Sequence, residues 1–261
     1  MSEYRYVRLD PTGNLTCLVL DPVPAEERAR VTGALMNRCE QVGYLMPPER
    51  PECAARLQMM GGEFCGNASM ATAVWLSARE GLADGAEREM LLEVSGAGAP
   101  VRCRAARKGS GWTGSAEMPM PREIRQVEIA GRRADAVFFA GMVHLIAGEM
   151  PDAAAEELLD AAKDAFSEPA IGLLQWSPED GRMKPLVWVR ESGTQVWETA
   201  CGSGTAAIAA WKCAAERRDL RMEIAQPGGT LLAETVWRED ALRMIRLSGS
   251  VGIGKTETVR V

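Results

Sequence analysis

Phe64-Cys65-Gly66-Asn67-Ala68-Ser69 and Ala200-Cys201-Gly202-Ser203-Gly204-Thr205 are two versions of one stretch, and their reading decides the fold. Each puts a cysteine, a glycine and a small polar residue where an apolar helix of small side chains should begin. Each has a glutamate just upstream, Glu63 or Glu198, and a tryptophan ten positions past the cysteine, Trp75 or Trp211. The cysteines stand 136 residues apart, close to half of 261. A chain of two related halves follows, each presenting one thiol at one helix N-terminus. Such a pair suits chemistry that needs an acid and a base on opposite faces of one small substrate.

The flanking sequence reads as β-rich on both sides of these turns. Tyr4-Arg5-Tyr6-Val7-Arg8-Leu9 alternates, Asp10-Pro11-Thr12-Gly13-Asn14 turns, and residues 15–20 form the partner strand. Helical spacing covers 24–39, opened by Pro24 and acidic residues that complement the helix dipole. A strand at 54–60, the first cysteine helix at 67–79, and strands at 91–94, 101–104 and 115–118 complete the first half. Residues 122–137 read as the crossover into the second. There, a strand pair over 137–146 breaks at Gly141, and a helix at 153–165 follows. Strands come next at 171–176 and 185–190, then the second cysteine helix from 201 to 216 and strands at 221–225, 231–238 and 242–247. The pattern is α+β, with boundaries expected at 1–125 and 126–261 and a final strand free to return to the first lobe. Both cysteine helices are so apolar that each should be central to its own sheet.

Composition excludes several classes. A net charge of −6, with 46% hydrophobic and 25% charged residues, is ordinary for a globular domain and poor for binding phosphate backbones. The first residues lack the apolar core of a signal peptide, and no apolar run approaches a membrane span, so a cytoplasmic protein is the default. The expected partner is a small amino acid, with no nucleic acid and no membrane, and the chain could pair as a homodimer. Seven cysteines without CxxC spacing, beside a single histidine, argue against a disulfide framework or a metal site. Cys17 and Cys213 lie in apolar runs and read as buried small hydrophobes.

A cysteine placed before a helix has a chemical use. The first turn carries unpaired N–H groups and partial positive charge, which bind anions and stabilise a thiolate. Gly66 and Gly202 remove the side chains that would block a ligand from those groups. A substrate held there by its α-carboxylate could lose its α-proton to one sulfur and regain one from the other. The N–H donors would meanwhile stabilise the carbanion character. This inverts a carbon centre with no cofactor.

Gly13-Asn14, Gly62-Glu63-Phe64-Cys65-Gly66-Asn67, Glu198-Thr199-Ala200-Cys201-Gly202-Ser203-Gly204 and Gln226-Pro227-Gly228-Gly229 together resemble the diaminopimelate epimerase superfamily of cofactor-independent, two-cysteine racemases. The likeness runs over nearly the whole chain. It implies two pseudo-symmetric lobes, each a mostly antiparallel β-barrel around a central helix, with the site in the cleft between. It also implies catalytic roles for Cys65, Cys201, His144 and Glu191, where His144 supports the thiol pair and Glu191 anchors the substrate ammonium or orients Cys201. Asn14, Gly66, Asn67, Gly202 and Ser203 fall at substrate-binding positions of the same motifs.

Specificity should lie where the chain departs from that pattern. The superfamily's Gly-Asn-Pro-His stands here as Gly141-Met142-Val143-His144, its Gly-Val-Asn as Gly172-Leu173-Leu174, and its Glu-Arg as Glu191-Ser192. Met142, Leu174 and Ser192 thus replace polar anchors for a distal zwitterion, which could not be buried there cheaply. Diaminopimelate is disfavoured. Asp10 to Thr16, the Leu57-Gln58-Met59-Met60-Gly61-Gly62 lead and Val196-Trp197-Glu198 are most similar to the histidine racemase branch, which feeds D-histidine into opine-type metal-chelating molecules. Gln58 is a candidate polar contact for an imidazole. Glu63 and Glu198 could equally cap their helices or shape the cleft. Other amino acids remain open as substrates, as do a same-fold isomerase working through a carboxylic acid and a binding protein using the two thiols as a switch.

Overall fold

A computed structural model describes residues 1–261, which divide into two compact units: Met1–Glu117 with Ser248–Val261, and Met118–Leu247. The first contains β1 (Glu3–Pro11), β2 (Thr16–Val19), a 3-10 turn at Ala25–Glu27 leading into α1 (Arg28–Leu35), β3 (Gln41–Met46), β4 (Ala55–Met59), α2 (Gly66–Arg79), β5 (Glu87–Val94), β6 (Val101–Lys108) and β7 (Gly111–Glu117). The second contains β8 (Glu123–Ile129), β9 (Arg132–Phe139), β10 (Met142–Ala147), α3 (Asp152–Ala165), β11 (Ala170–Ser177), β12 (Arg182–Val189), β13 (Thr194–Trp197), α4 (Gly202–Glu216), β14 (Leu220–Gln226), β15 (Gly229–Arg238) and the start of β16 (Ala241–Arg260). The remainder of β16 belongs to the first unit. The fold is α+β, mostly sheet with few helices, and no helix is long and apolar enough to cross a membrane.

The same order of pairings occurs twice. In the first unit an antiparallel pair, β1–β2, is followed by the α1 crossover to a parallel neighbour, β3. Another antiparallel pair, β3–β4, precedes the α2 crossover to β5, and β5, β6 and β7 continue antiparallel. In the second unit β9–β10 is antiparallel and α3 crosses to the parallel β11. The β11–β12 pair follows, α4 crosses to the parallel β14, and β15 returns antiparallel. Parallel neighbours require a long connection, so each crossover is a helix. In both units the cysteine opens the second of the two.

The two kinds of helix are built differently. α3 is amphipathic, burying Ala155, Leu158, Leu159 and Ala162 at helical spacing against Leu145, Ile171, Leu173 and Leu186. α2 and α4 are buried along almost their whole length, α2 against β1, β5, β6 and β7, and α4 against β9, β10, β14 and β15. Small side chains permit this. At Gly114 in β7 a Cβ would lie 2.8 Å from the carbonyl oxygen of Met70, so only glycine lets α2 approach so closely.

Two expected elements differ. Residues 122–137 are not a crossover but the hairpin β8–β9, closed by Ala130 and Gly131 at φ of 50° and 74°, the left-handed pair that two-residue hairpin turns demand. The helix expected over 24–39 is confined to 25–35, and the polar end of that span leads into β3, a strand the sequence pattern did not signal because Gly43 interrupts it.

Candidate active site

Cys65 is the N-cap of α2. Its backbone is extended (φ −132°, ψ 110°), which turns the side chain back so that Sγ accepts from Ala68 N at 3.4 Å. The turn before it is braced from β5's far end: Ser95 Oγ donates to the Glu63 carbonyl (2.8 Å) and accepts from Met59 N (2.9 Å). Gly96, at φ +72°, lies so near that a Cβ would stand 2.3 Å from Phe64 N. The cysteine turn therefore rests on bare backbone.

Behind the half-buried thiol stands a chain of amides. Cys65 Sγ donates to Gln41 Oε1 at 3.2 Å. Gln41 Nε2 donates to Asn14 Oδ1 (2.6 Å) and Thr16 Oγ1 (2.7 Å), and Asn14 Nδ2 donates to Glu40 Oε2 (2.8 Å). Asn14, Cys65, Gly66 and Asn67, all expected at the site, thus belong to one polar region or to the helix turn it serves. Gln58 uses its amide on the Met59 carbonyl (3.2 Å), and Glu63 folds its carboxylate back toward Gly61. Gln41 was not anticipated; no strand was expected where it opens β3.

Cys201 caps α4 in the same way, extended at φ −114° and ψ 105°, with Sγ accepting from Gly204 N at 3.3 Å. Gln226 holds the turn: its Oε1 accepts from Cys201 N (2.6 Å) and its Nε2 donates to Thr205 Oγ1 (3.0 Å), which donates to the Cys201 carbonyl (2.8 Å). Its motif was noticed in the sequence, but this clamp was not. Cys201 is buried, and burial pushes its thiol well up, reinforced by the charge of Glu198 and a hydrogen bond to it. Glu198 is the carboxylate at this thiol. Glu191 and Ser192 occupy the exposed turn between β12 and β13, where Ser192 Oγ pairs with Thr194 Oγ1 at 2.8 Å.

Ser203 joins Cys201 to His144. Ser203 Oγ is 3.4 Å from Cys201 Sγ, 2.9 Å from His144 Nε2 and 3.5 Å from Met142 Sδ. Full burial drives the His144 pKa down to about 3, so the imidazole is neutral. Its Nδ1 is buried with no hydrogen-bond partner, which favours the tautomer with the proton on Nε2. That proton goes to Ser203 Oγ and frees the hydroxyl proton for a sulfur. Leu174 is fully buried behind the turn, where a Cβ on Gly204 would meet its Cδ2 at 2.8 Å. Met142 touches Ser203, and Leu174 packs beneath it.

Comparison with known proteins adds a family to this geometry. The description "Histidine racemase CntK N-terminal domain" matches residues 3–259. The chain belongs to that family. A histidine racemase of Fusobacterium nucleatum subsp. nucleatum (strain ATCC 25586) is 28% identical over 96% of this chain and 97% of its own length. One from Staphylococcus aureus (strain Mu50) is 25% identical over 87% and 86%. Among solved structures, a predicted epimerase from Pseudomonas aeruginosa superposes with a TM-score of 0.74 at 17% identity, covering 99% of both chains. A hydroxyproline epimerase from Agrobacterium vitis with bound trans-4-hydroxy-L-proline gives 0.72 at 13%, covering 98% of this chain and 92% of that one. These two share the fold. As a member of the histidine racemase family, the chain is an isomerase of the racemase type.

Proposed function

We propose that this racemase interconverts L- and D-histidine without pyridoxal phosphate or metal, using Cys65 and Cys201 as the proton-transferring pair. The observation that carries the reading is the duplicated cap. Each sulfur sits at the first turn of a buried helix, where the N–H groups and the helix dipole favour a carboxylate and a developing negative charge. The α-carboxylate is bound by the first-turn amides of Gly66 and Asn67 and of Gly202 and Ser203. One thiolate removes the α-proton while the other thiol supplies a proton to the opposite face, and the charge passing into the carboxylate is stabilised by those donors. Glu198 receives the Cys201 proton, and Ser203, backed by neutral His144, donates to the resulting thiolate. Twin β-barrels around α2 and α4 would be the matching architecture.

Histidine as substrate is supported by the family and by the mixed lining near Cys201, where thioether and hydroxyl groups meet. The test is proton NMR in heavy water with L-histidine and a panel of amino acids. Loss of the histidine α-proton signal with appearance of D-histidine is expected; exchange of diaminopimelate but not histidine would overturn the reading. Replacing either cysteine by serine should abolish full racemisation.

A further inference from the structure

The polar chain behind Cys65 has a direction. A carboxylate only accepts, so Asn14 must turn Nδ2 toward Glu40 and Oδ1 away from it. That Oδ1 receives one proton of Gln41 Nε2. Thr16 imposes the same sense: its hydroxyl donates to the Asn14 carbonyl at 3.2 Å and so accepts the other Nε2 proton. With both amide protons engaged, Gln41 has only Oε1 to present to Cys65. An amide oxygen can hold a thiol proton in place but cannot remove it, and it faces a thiolate with lone pairs alone.

We propose that Glu40, Asn14, Thr16 and Gln41 form a relay of fixed polarity that keeps the proton on Cys65, with Gln41 the positioning residue of that thiol. The second unit supplies the contrast. The partner of Cys201 is the Glu198 carboxylate, which, after burial, raises the thiol further by its charge and hydrogen bond. Use of the Cys65 proton in racemisation rests on the two-thiol reading above; the relay itself does not. Glu63 bends back toward Gly61, and Asp10 accepts from Gly13 N at 2.7 Å.

The test is the pH dependence of Cys65 alkylation by iodoacetamide, read by peptide mass spectrometry in the intact protein. Gln41→Met removes the acceptor and should lower the midpoint, raising the rate at neutral pH about tenfold, the effect of one pKa unit. Glu40→Gln is isosteric and lets the relay reverse. It should shift the midpoint in the same direction, and it carries the test should Gln41→Met fail to fold. Glu63→Gln removes the same charge from the cysteine turn without entering the relay and should shift it less. An unchanged or raised midpoint in both relay variants, or equal shifts for Glu40→Gln and Glu63→Gln, would overturn the relay. A lowered midpoint beside full racemisation by Cys65→Ser would uphold the relay and overturn the two-thiol reading.

Discussion

Gly172 stands directly beside His144 in the parallel register of β10 and β11, and a single Cβ added there would fall 2.2 Å from the imidazole Nδ1. The glycine is the space in which the only histidine of the chain sits. A fully buried ring between two strands cannot swing aside as a flexible chain end would. Gly172→Ala should therefore cost about 1–3 kcal/mol, the usual range for overpacking. It should also lower racemisation by pulling Nε2 away from Ser203. Denaturant unfolding and initial rates would check both, and a neutral outcome would show that the ring is loosely held.

The neutral state of His144 makes stability depend on pH in a defined window. Its folded pKa of about 3 lies below the unfolded value near 6.5, so the unfolded chain binds a proton that the folded chain refuses. Stability from this group is complete above about pH 6.5 and falls as the pH drops toward 3, by up to about 1.4 kcal/mol per pH unit. His144→Gln should flatten that slope in unfolding measurements from pH 7 to about 4. Attribution is direct because no second histidine titrates.

Burial holds the Cys201 thiol up, and Glu198 adds to it by its charge and by accepting a hydrogen bond. Glu198→Gln should move the Cys201 titration to lower pH, so a larger fraction of that sulfur is thiolate near neutrality. Activity should nevertheless fall, by about a hundredfold, because the proton acceptor is gone. The pH–rate profile and thiolate absorbance read the two effects separately. Activity that rises with thiolate content would rule out a proton-accepting role for Glu198.

Leu159 is fully buried where α3 meets β11 and β12 and touches neither cysteine turn. Leu159→Ala should cost about 2–5 kcal/mol. Thermal unfolding should shift downward, while the Michaelis constant measured well below the transition stays at its parent value.

Much of this was legible in the sequence because the helices that carry the chemistry are also the most regular part of the chain. The spacing of Cys65 and Cys201, the apolar runs behind them and the glycines after them give the duplicated cap without coordinates, and α2 and α4 begin within a residue of where the pattern puts them. The hairpin at 123–139 was misread because its turn, Ala130-Gly131, puts a non-glycine residue in a left-handed conformation, which propensity does not announce. The partners of the sulfurs were harder to see. Gln41 reaches Cys65 through sheet register, and nothing local distinguishes it from a solvent-facing polar residue, whereas Gln226 and Glu198 were marked by their motifs but not for these contacts. Glu191, named from the resemblance, lies in the exposed turn between β12 and β13, and Glu198, three residues from the thiol, is hydrogen-bonded to it.

The pairing of β1 with the far part of β16, from Glu3 opposite Arg260 to Pro11 opposite Val251, has a consequence for biogenesis. A nascent chain emerges N-terminus first, and domains ordinarily condense in that order. Here Tyr4, Tyr6 and Leu9 are synthesised early, yet the strand that covers one edge of β1 leaves the ribosome only after the entire second unit. The later-made unit can therefore close first, while the earlier one waits with an open strand edge until residues 250–260 arrive. In the cell that interval, more than the finished enzyme, is where chaperones and proteases would find this chain.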